Sequence, residues 1–99
     1  MRIAEVIQVR AFNGNTLAQA IEEARGLFLP DRPEALEKLE LWIRNDLETD
    51  ICVVLSWASD RSREVKSKLG LELADFFSEY GWVLHSVWGI PRETGLKGA

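Results

Sequence analysis

Few side chains in this sequence could carry out chemistry, and His85 is the foremost of them. It is the single histidine among 99 residues, and imidazole is the side chain that most readily exchanges a proton near neutral pH. Its neighbours are Leu84 and Ser86, and a histidine in such a setting is also commonly a packed, hydrogen-bonded residue. Adjacent residues of a strand point to opposite faces, so Ser86 cannot form a catalytic pair with it.

The other polar candidates favour structure over chemistry. Cys52 is the only cysteine and has apolar neighbours, so we interpret it as a small core residue. Asp46, Glu48 and Asp50 are spaced like oxygen ligands but match no calcium-loop pattern, which favours a solvated turn. One histidine and one cysteine cannot build a structural zinc site, and no glycine-rich phosphate loop or dinucleotide fingerprint is present. We therefore expect neither a metal nor a cofactor.

Four tryptophans are an unusual number for a chain of this length. They fall in or beside strand-like segments, at Trp42, Trp57, Trp82 and Trp88. Large aromatic side chains bury well, so the main interpretation is that they fill the core and a subunit interface. The alternative is a platform on which a planar ligand stacks.

The elements that position these residues follow from apolar periodicity. Residues 39–59 alternate on both sides of a polar turn at 45–50, which predicts a hairpin with strands over 38–44 and 51–57. Apolar residues at helical spacing predict helices from Asn15 or Thr16 to about residue 29, and over 67–80 with Gly81 as C-cap. Outer strands are predicted at 3–12 and 82–90. Residues 33–38 could instead start a short helix.

This order predicts an α+β, ferredoxin-like βαββαβ fold. The first and third strands are central in a four-stranded antiparallel sheet, with two helices on one face. Both faces of the central strands are apolar, as Val53 and Trp57 on one side and Val54 on the other illustrate. The uncovered face should pack on a second copy, which predicts a homodimer. We expect one domain over residues 1–90 and a frayed tail over 91–99.

Composition limits the partners. The net charge of −4 opposes the phosphate attraction on which nucleic-acid binding depends. The longest uncharged run is far shorter than the roughly 20 residues that span a bilayer. With no apolar signal segment and a lone cysteine, we expect a cytoplasmic protein that binds neither nucleic acid nor membrane.

The hairpin sequence LWIRNDLETDICVVLSWAS resembles the second strand, short acidic turn and Trp-ended third strand of the dimeric α/β barrel superfamily. Within it, the chain is similar to antibiotic biosynthesis monooxygenase-like domains over residues 1 to 90. The resemblance implies a homodimer with one cleft per subunit between sheet and helices. Some relatives use that cleft for cofactor-independent oxygenation of polycyclic aromatic substrates. Others degrade haem with a histidine on the second helix, and residues 67–80 contain none.

The resemblance also implies roles for particular residues. Trp57 matches the tryptophan that can flank a flat ligand, and Gln8 lies about where active relatives place an asparagine that holds an oxygen atom. Together with His85 as the base, they would form the site of an oxygenase-like enzyme acting on an aromatic or quinone-type molecule. In that case all three should share a cavity between the sheet and the second helix. The alternative is a non-catalytic homodimeric module that binds a small ligand or serves as a scaffold.

Overall fold

The computed structural model describes residues 2–28, 33–58 and 66–90. The elements follow in the order β1 (Arg2–Ala11), α1 (Gly14–Phe28), β2 (Leu36–Ile43), β3 (Asp50–Trp57), α2 (Lys68–Phe77) and β4 (Gly81–Ile90). This is the predicted ferredoxin-like α+β order. The tail expected to fray, residues 91–99, lies outside the described residues.

The four strands form one antiparallel sheet in the order β2-β3-β1-β4. As predicted, β1 and β3 are central and β2 and β4 are edges. In the middle of β1, Ile7 pairs with Val53 on one side and with His85 on the other. Both helices pack on the same face, with α2 over β1 and β4 and α1 against β1 and α2. The side of that face nearest β2 is left the least covered.

Alternation along the strands divides the sheet into two faces. The covered face, on the helix side, carries the buried side chains of the central strands. They pack with the apolar side of α2 in one core, whose members include Ile3, Ile7, Val9, Val53, Leu55, Trp57, Leu69, Leu73 and Phe77. The open face carries the alternate residues of the same strands. None of the elements described lies over it.

Two predicted boundaries are wrong for local reasons. α1 is capped by Asn13, whose Oδ1 accepts from the Thr16 backbone N–H at 2.9 Å, and not by Asn15 or Thr16. Gly81 is not a C-cap, because α2 ends at Phe77 and Gly81 opens β4. A Cβ there would come 2.7 Å from Ala11 Cα, so glycine allows β4 to approach β1 closely.

The segment before the hairpin also takes one of its two predicted forms. The backbone turns at Glu34 and Ala35 and enters β2 at Leu36, so the short helix over 33–38 does not form. A register shift between Leu36 and Lys38 brings Leu39 back onto the covered face. Among the described residues, no helix is long and apolar enough to cross a bilayer.

Candidate functional site

A buried carboxylate lies at the centre of the covered face. Glu5, on β1 between Ile3 and Ile7, has no exposed surface. The Trp57 indole Nε1 donates to its Oε1 at 2.8 Å, and His85 Nε2 lies 2.9 Å from its Oε2. Three strands, β1, β3 and β4, thus each place one side chain in a single polar cluster inside the core.

The same carboxylate holds the start of α2. The Ser67 backbone N–H donates to Glu5 Oε2 at 2.9 Å, and the Ser67 side chain caps the helix by accepting from Gly70 N. A Cβ at Gly70 would lie 2.9 Å from Glu5 Cδ and 3.1 Å from His85 Cε1, so only glycine lets the helix come this close. A carboxylate at a helix N-terminus is also favoured by the helix dipole.

Hydrogen bonding decides the charge of Glu5. Burial raises its pKa, but the hydrogen bonds from Ser67, His85 and Trp57 outweigh burial, and the pKa lies below its ordinary value of 4.5. Glu5 is therefore ionised at neutral pH and can only accept hydrogen bonds. The hydrogen between the two side chains then belongs to His85 Nε2, and in a neutral imidazole Nδ1 keeps the lone pair.

The structure brings together two of the three residues expected to share a site. Trp57 and His85 meet through Glu5, whereas Gln8 lies on the open face, exposed, between Cys52 and Leu84. Trp57 is only 4% exposed and holds its indole N–H on Glu5. The single cavity lined by all three residues, expected from the sequence, is therefore corrected to two separate regions.

The sequence analysis missed Glu5, although a signal was present. In β1, residues 3, 7 and 9 were assigned to one face, and period-two alternation places residue 5 with them. A carboxylate in the middle of a core-facing row needs partners, because an unpaired buried charge is costly. Among the described residues, no three His, Cys, Asp or Glu side chains converge as a metal site would require.

A cleft opens on the covered face beside the cluster. We call it the α1–hairpin cleft. It has a volume of about 410 Å³. Its walls are mostly apolar side chains from both helices and the hairpin, namely Ile21, Ala24, Leu39, Leu41, Val53, Leu73 and Phe77. Neither Trp57 nor His85 lines it. The cleft exists because the helices leave the β2 side of the sheet the least covered.

The open face is strongly apolar and uncovered. Trp42, Trp82, Leu84 and Trp88 are each at least 60% exposed. Trp42 and Trp82, on opposite edge strands, flank a shallow concavity of about 700 Å³ whose lining includes Gln8. Cys52 also lines it, and burial raises the pKa of its thiol, which disfavours a reactive thiolate.

Charged pairs border one end of the open face. Arg10 Nη2 lies 2.9 Å from Asp50 Oδ2, and Arg44 Nε lies 2.7 Å from Asp46 Oδ1. Hydrogen bonds from Arg10 hold the pKa of Asp50 below its usual range, and those from Arg44 do the same for Asp46. The acidic turn thus binds arginines, and its carboxylates are not arranged around a cation site.

Comparisons with known proteins identify the fold. Neither a scan of protein-family models nor a search of curated proteins finds a match. The chain is similar to the crystal structure of a candidate antibiotic biosynthesis monooxygenase from Bordetella bronchiseptica, with a TM-score of 0.60 and 15% identity over 89% of this chain and 95% of that one. It is also similar to Rv0793 from Mycobacterium tuberculosis, with a TM-score of 0.62 and 16% identity over 94% and 98%.

These likenesses confirm the resemblance that the hairpin indicated. The chain has the fold of an antibiotic biosynthesis monooxygenase-like domain, and the alignments span nearly all of each chain. At such low identity the likeness concerns the backbone arrangement, and one fold hosts many activities. The function has to be argued from the cleft, the polar cluster and the open face.

Proposed function

We propose that this protein is a homodimeric small-molecule-binding domain that holds a planar aromatic or similar apolar ligand in the α1–hairpin cleft. The observation that carries the proposal is the cleft itself. Its volume of about 410 Å³ lies in the range of small-ligand pockets, and its walls are apolar side chains of rigid elements. The monooxygenase-like fold supports an aromatic ligand, since one neighbour is named for such an activity.

The positions of the predicted site residues favour binding over catalysis. Trp57 and His85 are buried in hydrogen bonds with Glu5 and lie outside the cleft walls. Gln8 lies on the other side of the sheet. A ligand in the cleft would therefore meet apolar surface and few groups able to move a proton.

A pair of matched substitutions tests the binding site. Ala24 lines the cleft, and Ala24→Phe should fill it and abolish binding of a neutral aromatic probe such as 2-naphthamide, measured by calorimetry. Ala18 is exposed on the same helix, so Ala18→Phe adds the same ring outside the cleft and should leave binding unchanged. If the wild type does not bind the probe, or if both variants lose it equally, the proposed site is wrong.

We assign the open face to the dimer contact. An apolar surface that includes Trp42, Trp82, Leu84 and Trp88 is unusual for a protein that remains a monomer. A second copy of the same face would cover it and form the α/β barrel expected from the sequence. The cytoplasmic location, which rests on sequence composition, stays a prediction.

Light scattering tests the assembly. The wild type should have about twice the chain mass of 11.2 kDa. Leu84→Lys places a charge in the middle of the open face and should shift the mass towards that of a monomer. Leu71→Lys makes the same change at an exposed leucine of α2 and should keep the dimer. A wild-type monomer at micromolar concentration would contradict the assignment.

A second candidate function is cofactor-independent oxygenation of an aromatic or quinone-type molecule. The Glu5–His85 contact favours it, because a carboxylate that fixes one imidazole nitrogen orients the other as a base. His85 would take the proton of a phenolic substrate, Trp57 would flank its ring, and Gln8 would act from the open face. Dioxygen would be the oxidant.

Oxygen uptake with a polycyclic phenol separates this candidate from simple binding. Under the oxygenase hypothesis the wild type consumes dioxygen in the presence of the phenol, and His85→Ala stops it. Trp57→Ala should weaken binding of the phenol. If the wild type binds the aromatic probe in the cleft but consumes no oxygen, the enzymatic candidate is wrong and the binding module stands.

A further inference from the structure

One charged side chain distinguishes the α1–hairpin cleft from a purely apolar groove. Arg25 lies four residues after Ile21 and next to Ala24, so it extends the cleft-lining side of α1 by one turn. Its side chain is 62% exposed and borders the cleft, which places the guanidinium at the mouth with its apolar stem along the wall.

The guanidinium of Arg25 is available to a ligand. The ion pair seen for it joins Nε to Glu22 Oε2 at 3.9 Å, and the Glu22 side chain is 79% exposed. A contact this long between exposed groups holds the arginine weakly. A ligand group could therefore replace Glu22 with little loss.

The other ionisable residue on the cleft border, Glu40, is turned away. It pairs with Val54 across the hairpin, and Val54 belongs to the open face. Leu39 and Leu41, on either side of it, are the β2 residues directed towards the helices. Among the described residues, the local charge offered to a ligand in this cleft is therefore positive.

We propose that Arg25 makes the α1–hairpin cleft selective for planar apolar ligands that carry an anionic group, such as aromatic carboxylates. This inference rests on the proposed function and names the ligand class of the same site. The ring system fills the apolar interior, and the carboxylate lies at the mouth. The flat guanidinium there donates two parallel N–H bonds to the carboxylate oxygens, a geometry that a lysine cannot reproduce.

A charged and a neutral probe of the same ring test this selectivity. At neutral pH 2-naphthoate carries a carboxylate where 2-naphthamide carries an uncharged amide. Calorimetry on the full chain should show naphthoate binding about 10-fold more tightly, as expected for a charge-assisted pair at a partly exposed site. Arg25→Gln should reduce that preference to less than about 2-fold while leaving the naphthamide affinity unchanged.

Two further variants sharpen the result. Glu22→Gln removes the competing carboxylate and should strengthen naphthoate binding without affecting naphthamide. Arg25→Lys keeps the charge but loses the paired donors, so its preference should fall between those of the wild type and Arg25→Gln. Ala24→Phe should block both probes.

The outcomes distinguish the inference from the function on which it rests. If both probes bind equally well, or if Arg25→Gln keeps the preference for naphthoate, the role of Arg25 is wrong and the cleft remains a ligand site. If neither probe binds the wild type, or if Ala24→Phe does not affect binding, the proposed function itself fails and the selectivity falls with it.

Discussion

The two faces of the sheet carry the same strands but solve opposite problems. On the covered face, Glu5 is fully buried and its charge is met by hydrogen bonds from three elements. On the open face, arginines and aspartates pair in solvent, and tryptophans remain exposed. Burial makes the first set of contacts indispensable to the fold, whereas solvent makes the second set replaceable.

This difference separates residues that serve the fold from those that remain free for partners. The polar cluster around Glu5 joins β1, β3, β4 and α2, so a change there should alter the whole domain. The open face and the α1–hairpin cleft are less involved in the core. Their residues can change with fewer consequences for stability, which suits surfaces that bind a second copy or a ligand.

The largest expected effect comes from removing the buried carboxylate. Glu5→Ala removes the acceptor shared by Trp57, Ser67 and His85 and should lower the free energy of unfolding by about 3–5 kcal/mol in urea denaturation. Gln8→Ala, three residues later on the open face, is the matched control and should change it by less than about 0.5 kcal/mol. Equal effects of the two substitutions would remove the distinction between the faces.

A smaller effect is expected where α2 approaches the cluster. Gly70→Ala forces a methyl group against the Glu5 carboxyl and should destabilise the protein by about 1–3 kcal/mol. Gly26→Ala, on α1, meets no atom within 4 Å and should stabilise by up to about 1 kcal/mol because alanine favours helix. Thermal or urea denaturation measures both, and a neutral Gly70→Ala would show that the approach is looser than described.

Acid should weaken the covered face through Glu5. Its pKa in the folded protein lies below 4.5, so the unfolded chain takes up the proton first and stability falls as the pH decreases from about 4.5 through the folded pKa. The lowered pKa values of Asp46 and Asp50 act in the same direction, so the titration is made in about 1 M salt to screen their arginine pairs. Glu5→Gln should have a flatter acid limb, and an unchanged limb would contradict the assignment to Glu5.

The smallest effect is expected from the exposed pairs at the end of the open face. Arg44→Ala removes contacts to Asp46 and Asp50 and should shift the urea midpoint far less than Glu5→Ala does. Because these groups are solvated, raising the salt to about 1 M should erase the difference from the wild type. A difference that persists at high salt would place this cluster with the buried one.

Local pattern was sufficient to predict the order of elements, and pairing between distant residues was not. The period-two hairpin and the two apolar helical stripes identified six elements and the central strands. Glu5 escaped notice because its partners Ser67 and His85 are 62 and 80 residues away in sequence. No local pattern shows such a contact, since it depends on the register between strands.

The candidate site illustrates the same limit. Gln8 was chosen by analogy with relatives, although alternation with Ile7 and Val9 already assigns it to the other face. The grouping of Trp57 with His85 depends on β1 pairing with both β3 and β4, which only the tertiary structure supplies. Likewise, Gly81 was interpreted from its own conformational freedom, while the space it leaves for Ala11 decided its role.

The central position of β1 has a consequence for how the chain reaches this structure. The first strand to leave the ribosome pairs with the third and the last, and Arg2 ends opposite Ile90. Most contacts that complete the sheet therefore close very long loops, which slows folding relative to proteins built from local contacts. Until β4 arrives, one edge of β1 offers unsatisfied backbone groups to other nascent chains, and the final strand ends that exposure.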